Sequence, residues 1–293
     1  MVRPSAFGYN PQTAESNAFQ KELDLSRKEI SKRALQEFDQ MAGGLKDLGI
    51  EVLIANDKLE PHTPDAVFPN NWFSTHPDGT FCLYPMEAKA RRLERESGAV
   101  DLIRGSFRPR RIIDLTRFEQ DEKFLEGTGS LILDHDNGIA YACISSRTNP
   151  EVLDKWAVEL GFDVIKFSAF DENGTEIYHT NVMMCLGDSF AVICLESIAN
   201  KGERNAVVES LKNTGKEIIN ISFTQLNNFA GNMLLLKNDK AEKILVMSTR
   251  ARDSLNPEQI ATLETHSKLA SFDIETIEDC GGGSARCIIA EIF

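Results

Sequence analysis

No apolar run in this 293-residue chain approaches the roughly 20 residues needed to span a bilayer, and the opening MVRPSAFGYNPQTAE lacks the apolar core of a signal peptide. A cytoplasmic protein away from the membrane is therefore expected. Positive charge is also scarce. With 32 Lys and Arg against 45 Asp and Glu, the net charge of -13 disfavours nucleic acid and anionic membrane surfaces, and favours a small-molecule partner. Metal-ligand spacing is missing: the cysteines at 82, 143, 185, 194, 280 and 287 form no CxxC pair and the five histidines do not cluster. Neither a metal nor another cofactor is expected. Because the six cysteines are dispersed through a long chain, mostly inside apolar runs, reduced thiols are expected instead of a disulfide framework. No Gly- or Pro-rich linker interrupts the chain. Residues 1–293 read as one domain, and 42% hydrophobic residues suffice for a substantial core.

What is present is a repeated order of elements. The segment from Ser26 carries Ile30, Leu35, Phe38, Met41 and Leu45 at helical spacing until Gly49 stops it, and EVLIAN then reads as a strand. Next come a hairpin, AVFPNNWFS and TFCLYPM around His76-Pro77-Asp78-Gly79, a charged helix from Met86 to Gly105, and the strand RIIDLT. The same order returns as SLILDH, IAYACIS, a helix opened by Asn149-Pro150, and DVIKFSAF. It returns again as NVMMCLG, FAVICLES, KGERNAVVESLKNTG and EIINIS, and a fourth time as GNMLLLKN, KILVMST, PEQIATLETHSKLA and FDIETIE. The terminal CIIAEIF is expected to be a strand that pairs with the N-terminal segment as a fifth unit. A strand-strand-helix-strand repeat of about 55 to 60 residues points to a propeller-like ring with a central channel, although an ordinary mixed α/β sheet with hairpins satisfies the same pattern.

The chemistry concentrates at CGGGSARC, residues 280–287. Three glycines permit positive φ and close approach of backbone to a ligand, and Cys287 follows them at the expected start of a strand. Upstream, Asp65, Asn70 and Asn71 surround a strand with no structural need of them, Glu126 precedes Gly127 and Gly129, and His179 and Asn181 sit at a strand entrance. A thiol, an imidazole and a carboxylate are what nucleophilic catalysis by cysteine uses: the imidazole activates the thiol and protonates a leaving nitrogen, and the carboxylate orients the imidazole and raises its pKa. Cys280 is the poorer nucleophile of the two, because Glu278 and Asp279 directly before it disfavour a thiolate.

These residues, in this order along nearly the whole chain, resemble the guanidino-group modifying enzymes: arginine and agmatine deiminases, amidinotransferases and dimethylarginine dimethylaminohydrolases. The resemblance implies a five-bladed α/β propeller (pentein) of ββαβ units around a central active-site channel. It also implies Cys287 as nucleophile after the glycine loop, His179 in a His-x-acid motif, and Glu126 in a Glu-Gly motif. SSRTN at 145–149 is similar to the segment whose arginine holds the substrate's α-carboxylate, which nominates Arg147, and Arg91 and Arg92 are similar to a neighbouring arginine pair at the amino-acid end. Asp65, Asn71 and Asn181 complete the expected substrate-binding set.

The sequence departs from that family where it grips the substrate. Deiminases and amidinotransferases hold the cationic guanidinium with two carboxylates, and here both positions are asparagine, Asn71 and Asn181. Hydrogen bonds to charged groups contribute about 1.5 to 3 kcal/mol each, so a cation loses affinity while a neutral ureido group does not. Citrulline, hydrolysed to ornithine, ammonia and carbon dioxide, is the expected substrate, and the resemblance extends to a citrulline-using branch. Two alternatives stand beside it: hydrolysis of arginine or methylated arginine, and a catalytically idle propeller that binds an amino acid. Homo-oligomerisation is left open.

Overall fold

The computed structural model describes every residue except Ser97. A short parallel pair joins β1 (Val2–Arg3) to β2 (Ala55–Asn56), and the helix Arg27–Asp47 crosses between them with Ile30, Ala34, Phe38, Met41, Ala42 and Leu45 buried on one face. Ser26 caps that helix by accepting from the Glu29 amide, and Gly49 at φ 80° ends it where glycine has no steric penalty.

Four three-stranded sheets follow: β3 (Phe73–Thr75), β4 (Thr80–Leu83) and β5 (Arg111–Asp114); β6 (Ile132–Asp134), β7 (Ile139–Cys143) and β8 (Asp163–Phe167); β9 (Met184–Leu186), β10 (Phe190–Ile193) and β11 (Glu217–Asn220); β12 (Leu234–Lys237), β13 (Lys243–Ser248) and β14 (Lys268–Phe272). In each, the first two strands form an antiparallel hairpin and the third lies parallel to the second after a helical crossover. The protein is thus an α/β fold of small sheets, and the repeat legible in the sequence is physical. Local signals act as expected: Asp78 accepts from the Thr80 amide at 2.8 Å in the first hairpin, and Asn149 caps the helix Pro150–Leu160 with Pro150 in its first turn. No described helix is long and apolar enough to cross a membrane, and no group of described side chains is arranged to hold a metal.

Several elements differ from expectation. The charged helix expected from Met86 to Gly105 is broken into Lys89–Arg92, a 3-10 turn Leu93–Glu96 and the helix Ala99–Phe107, and Ser97 within it lies outside the described residues. A buried ion pair between Arg91 and Glu94 draws this segment inward in place of one solvated face. Of EVLIAN only Ala55–Asn56 is strand. The last crossover helix stops at His266, because Lys268–Phe272 pairs with β13 as β14. Most of FDIETIE is instead the helix Glu275–Gly281, whose Thr276 and Ile277 amides donate to the Glu37 carboxylate at 2.9 and 3.0 Å, a cap supplied by another helix.

The expected terminal strand is also corrected. Ala285–Ile288 is a single helical turn and residues 289–293 form no ladder. Side chains satisfy the tail instead: Arg286 donates to the Ile289 carbonyl at 2.9 Å, and Thr75 donates to the Glu291 carbonyl at 2.9 Å. Ala290 nevertheless packs on the apolar cluster that contains Val2 and Ala55, beside β1 and β2.

Candidate active site

Each unit enters its first strand through one tight turn, and the candidate residues ride on these turns. Pro69–Asn71 precedes β3, Gly127–Ser130 precedes β6, Thr180–Met183 precedes β9, a turn closed by the Asn232 amide on the Phe229 carbonyl precedes β12, and Ala285–Ile288 precedes the C-terminal tail. The five turns touch in a closed circuit. Gly127, at φ 48°, lies so close to the first turn that a Cβ there would stand 2.4 Å from the Asn70 carbonyl. A Cβ on Gly129 would stand 2.4 Å from Asn71 Nδ2 and 2.8 Å from the His179 ring. Asn232 Nδ2 donates to the Asn181 carbonyl at 2.8 Å, and Asn232 Oδ1 accepts from the Arg286 amide at 3.0 Å. The last turn packs back on the first.

Within the circuit, His179 Nε2 meets Glu126 Oε2 at 2.9 Å, so Nδ1 is the ring nitrogen left for chemistry. Glu126 also accepts from the Glu87 amide at 3.0 Å and lies 3.6 Å from Arg147. The Cys287 thiol receives two amide donors at 3.3 Å, Asn181 Nδ2 and Asn232 Nδ2. Cys287, His179, Asn71, Asp65, Arg91 and Arg147 line one cavity.

Burial dominates the ionisation of these groups. It pushes the Cys287 thiol up, against the opposing hydrogen bonds from Asn232 and Asn181. It also holds the His179 imidazolium below its ordinary pKa, outweighing the rise expected from Glu126. Burial opposes the Glu126 charge too, but Arg147 and the hydrogen bond from His179 bring that carboxyl down to about 2. Burial raises Asp65 against the pull of Arg91, and its Oδ1 is buried without a partner. Cys280 lies outside this cavity, and burial pushes its thiol up to about 12.

The family model described as N,N dimethylarginine dimethylhydrolase, eukaryotic, matches residues 3–293. The chain belongs to that family. As a member of the dimethylarginine dimethylhydrolase family it is a hydrolase of the guanidino-modifying superfamily, acting on non-peptide carbon–nitrogen bonds. Solved structures with the same fold include the N-terminal domain of ArgZ(N71S), covalently bonded to a reaction intermediate, at 17% identity and TM-score 0.75 over 100% of this chain and 96% of that one. Full ArgZ is an arginine dihydrolase from cyanobacteria, and this chain spans 38% of its length. Unliganded AgrE is 18% identical at TM-score 0.77, with 100% of this chain and 39% of that chain covered. A dimethylarginine dimethylaminohydrolase adduct is 14% identical at TM-score 0.65, over 98% of this chain and 96% of that one. No curated protein matches.

In this family member two of the three candidate arginines, Arg147 and Arg91, line the cavity and Arg92 does not. Arg147 lies in the cavity wall over the Tyr178 ring, and its guanidinium donates to the Thr13 carbonyl at 3.0 Å and to Ser16 Oγ at 2.7 Å. Arg91 is buried against Glu94 and Asn71. Arg92 is corrected: it turns away from the cavity, donates to the Met86 and Glu87 carbonyls, and lies over Phe124 near the surface. Residues 10–17 roof the site. Asn10 and Thr13 bond Asp65, and Asn17 reaches the carbonyls of Gly281 and Gly282. Under that roof the cavity measures about 20 Å³, far below the several hundred Å³ of ligand pockets. A larger cavity of about 710 Å³, lined by residues of β3, β6, β9 and β12 and by the C-terminal tail, contains none of the candidate catalytic side chains.

Asn232 is the residue that sequence reasoning missed. Its signal was present: Asn71, Asn181 and Asn232 all stand just before the first strand of a unit, so an alignment of the internal repeats against one another exposes it.

Proposed function

We propose that this protein hydrolyses citrulline to ornithine, ammonia and carbon dioxide through a covalent Cys287 adduct. The observation that carries this reading is that the side chains at the reacting end, Asn71 in the cavity wall and Asn181 on the thiol, are neutral amides. In this reading the four ββαβ sheets and the β1–β2 pair with the C-terminal tail are the blades of a five-bladed propeller. It is one catalytic domain over residues 1–293, and the circuit of turns lies at its channel. The six free cysteines suit a reducing compartment such as the cytoplasm.

The thiol and imidazole start neutral, so the first step moves the Cys287 proton to His179 Nδ1, with Glu126 supporting the imidazolium that forms. The thiolate attacks the ureido carbon, and the C–N bond to ornithine breaks as His179 protonates that nitrogen. An S-carbamoyl enzyme remains. Water, losing its proton to His179, attacks the carbamoyl carbon and the C–S bond breaks, returning the thiol and releasing carbamate, which decomposes to ammonia and carbon dioxide. The substrate's α-carboxylate takes the Arg147 fork in place of the Thr13 carbonyl and Ser16 hydroxyl, with the Glu87 carboxylate, now 3.2 Å from Arg147 Nε, as its charged competitor. The roof of residues 10–17 moves aside to admit it.

The unpartnered Oδ1 of Asp65 favours a second reading, in which an arginine or methylated arginine brings the missing positive charge. Incubation with citrulline, arginine and dimethylarginine, with ornithine, citrulline and ammonia measured, separates the two. Citrulline should yield ornithine and ammonia fastest, and faster turnover of arginine or dimethylarginine would hand the site to the second reading.

A further inference from the structure

The orientation of the Asn71 amide is decided outside the reacting groups. Arg91 is 3% exposed and donates through Nε and Nη2 to Glu94 at 2.9 and 3.0 Å, through Nη2 to the Phe68 carbonyl at 3.0 Å, and through Nη1 to Asn71 at 2.7 Å, with the Asp65 carboxylate 4.0 Å from its Nε. A guanidinium has no acceptor, so the atom of Asn71 that meets it is Oδ1. The other end of that amide, Nδ2, faces Gly129 and the His179 ring, and it is buried with no partner. Asn181 is fixed in the opposite sense: its Nδ2 donates to the Cys287 thiol, and its Oδ1 is buried without a partner. Beside the imidazole and the thiol there is thus one unpaired donor, on Asn71 in the cavity wall, and one unpaired acceptor, on Asn181.

A ureido group carries a carbonyl acceptor and N–H donors, and it satisfies both. A guanidinium carries donors only, and one of them must confront the Asn71 donor, leaving a buried N–H unpaired. We infer that Arg91, held by Glu94, is the specificity-determining residue for ureido over guanidinium substrates, acting through Asn71 by turning its amide donor toward the substrate. This inference rests on the citrulline reading and deepens it: discrimination comes from a pinned donor–acceptor pattern as well as from missing charge. Arg91 is a positioning residue in this respect.

The test measures citrulline and arginine affinity by calorimetry in an inactive Cys287→Ser background, so that turnover does not obscure binding. Replacing Arg91→Met together with Glu94→Met removes both members of the closest buried ion pair, and the Asn71→Ala background controls for the Asp65 charge that then loses its Arg91 partner at 4.0 Å. The amide of Asn71 is then free to rotate, and the preference for citrulline over arginine should fall by about 10-fold or more. In an Asn71→Ala background the same two substitutions should leave the preference within about two-fold of that background's own value. An unchanged preference with Asn71 present overturns the inference, and so does an equal loss in its absence, because the effect would then not pass through the amide. Should the pair fail to fold, Asn71→Asp keeps the Arg91 contact and places an acceptor where the donor stood. It should shift preference toward arginine by about 10- to 100-fold, and no shift overturns the inference. A Cys287→Ser protein that prefers arginine from the outset sinks the citrulline reading itself, whatever the other variants do.

Discussion

Replacing Glu126→Gln probes the link between the imidazole and its carboxylate. Glu126 is fully buried, yet its carboxyl lies near 2 against an ordinary 4.5, so its surroundings favour the charge by about 3 kcal/mol net of burial. Arg147 is the larger source of that stabilisation and His179 the next. The share available to an imidazolium on Nε2 is that of one charge-assisted hydrogen bond, about 1.5 to 3 kcal/mol. Glutamine keeps the shape and loses the charge. Turnover should therefore fall about 10- to 100-fold. Removing the carboxylate also lowers the His179 pKa further below its already lowered value, so the acid limb of kcat should move to lower pH. The assay is ornithine release from citrulline at saturating substrate across the pH range, with a thermal melt of each variant. The melt matters because the depressed carboxyl contributes stability present above about pH 4.5 and lost as pH falls toward 2, and the variant forfeits it. Activity within about two-fold of the parent, with an unmoved acid limb, would refute the pairing of Glu126 and His179 as a catalytic unit.

Three further outcomes are expected. Cys287→Ser should abolish turnover while Cys280→Ser leaves most of it, since only Cys287 lines the cavity and receives the two amide donors; the reverse pattern in the same assay removes the nucleophile assignment. Gly129→Ala should reduce turnover by about 10-fold or more with the fold retained, because the new methyl stands 2.4 Å from Asn71 Nδ2 and 2.8 Å from the His179 ring, and full activity would show that neither side chain needs its present place. Burial and the neighbouring His135 lower His76 to about 4, so it folds neutral; unfolding stability should fall by up to about 3 kcal/mol as pH drops from 6.5 to 4, and urea titrations of His76→Phe should lack that component.

The order of elements was legible because its causes are local. Asp78 and Gly79 at a hairpin, Asn149 and Pro150 at a helix start, and Gly49 at a helix end act within a few residues, so the repeat could be read from spacing alone. The glycines of Glu126-Gly127-Thr128-Gly129 marked a close approach, which the structure fills with the first turn and the His179 ring. Segments whose partners lie far away were misread. The amides of Thr276 and Ile277 are capped by Glu37, more than two hundred residues earlier, and the C-terminal tail is tied down by Arg286 and Thr75 in place of a neighbouring strand.

What the sequence by itself determined is which chemistry is available: a cysteine behind a glycine loop, a histidine, a glutamate before two glycines, and asparagines where a cation-binding site would carry acids. Those are properties of residue types and survive any arrangement. What only the tertiary structure decided is which of those groups meet and in which state. It turned Arg92 outward and Arg91 onto Asn71, brought Asn232 to the thiol, and lowered the cavity roof of residues 10–17 over the site. Burial there also raises the Cys287 thiol and lowers the His179 imidazolium from their ordinary pKa values. The physical reason is that burial and the pinning of an amide depend on atoms gathered from all five turns, and no span of neighbouring residues contains them.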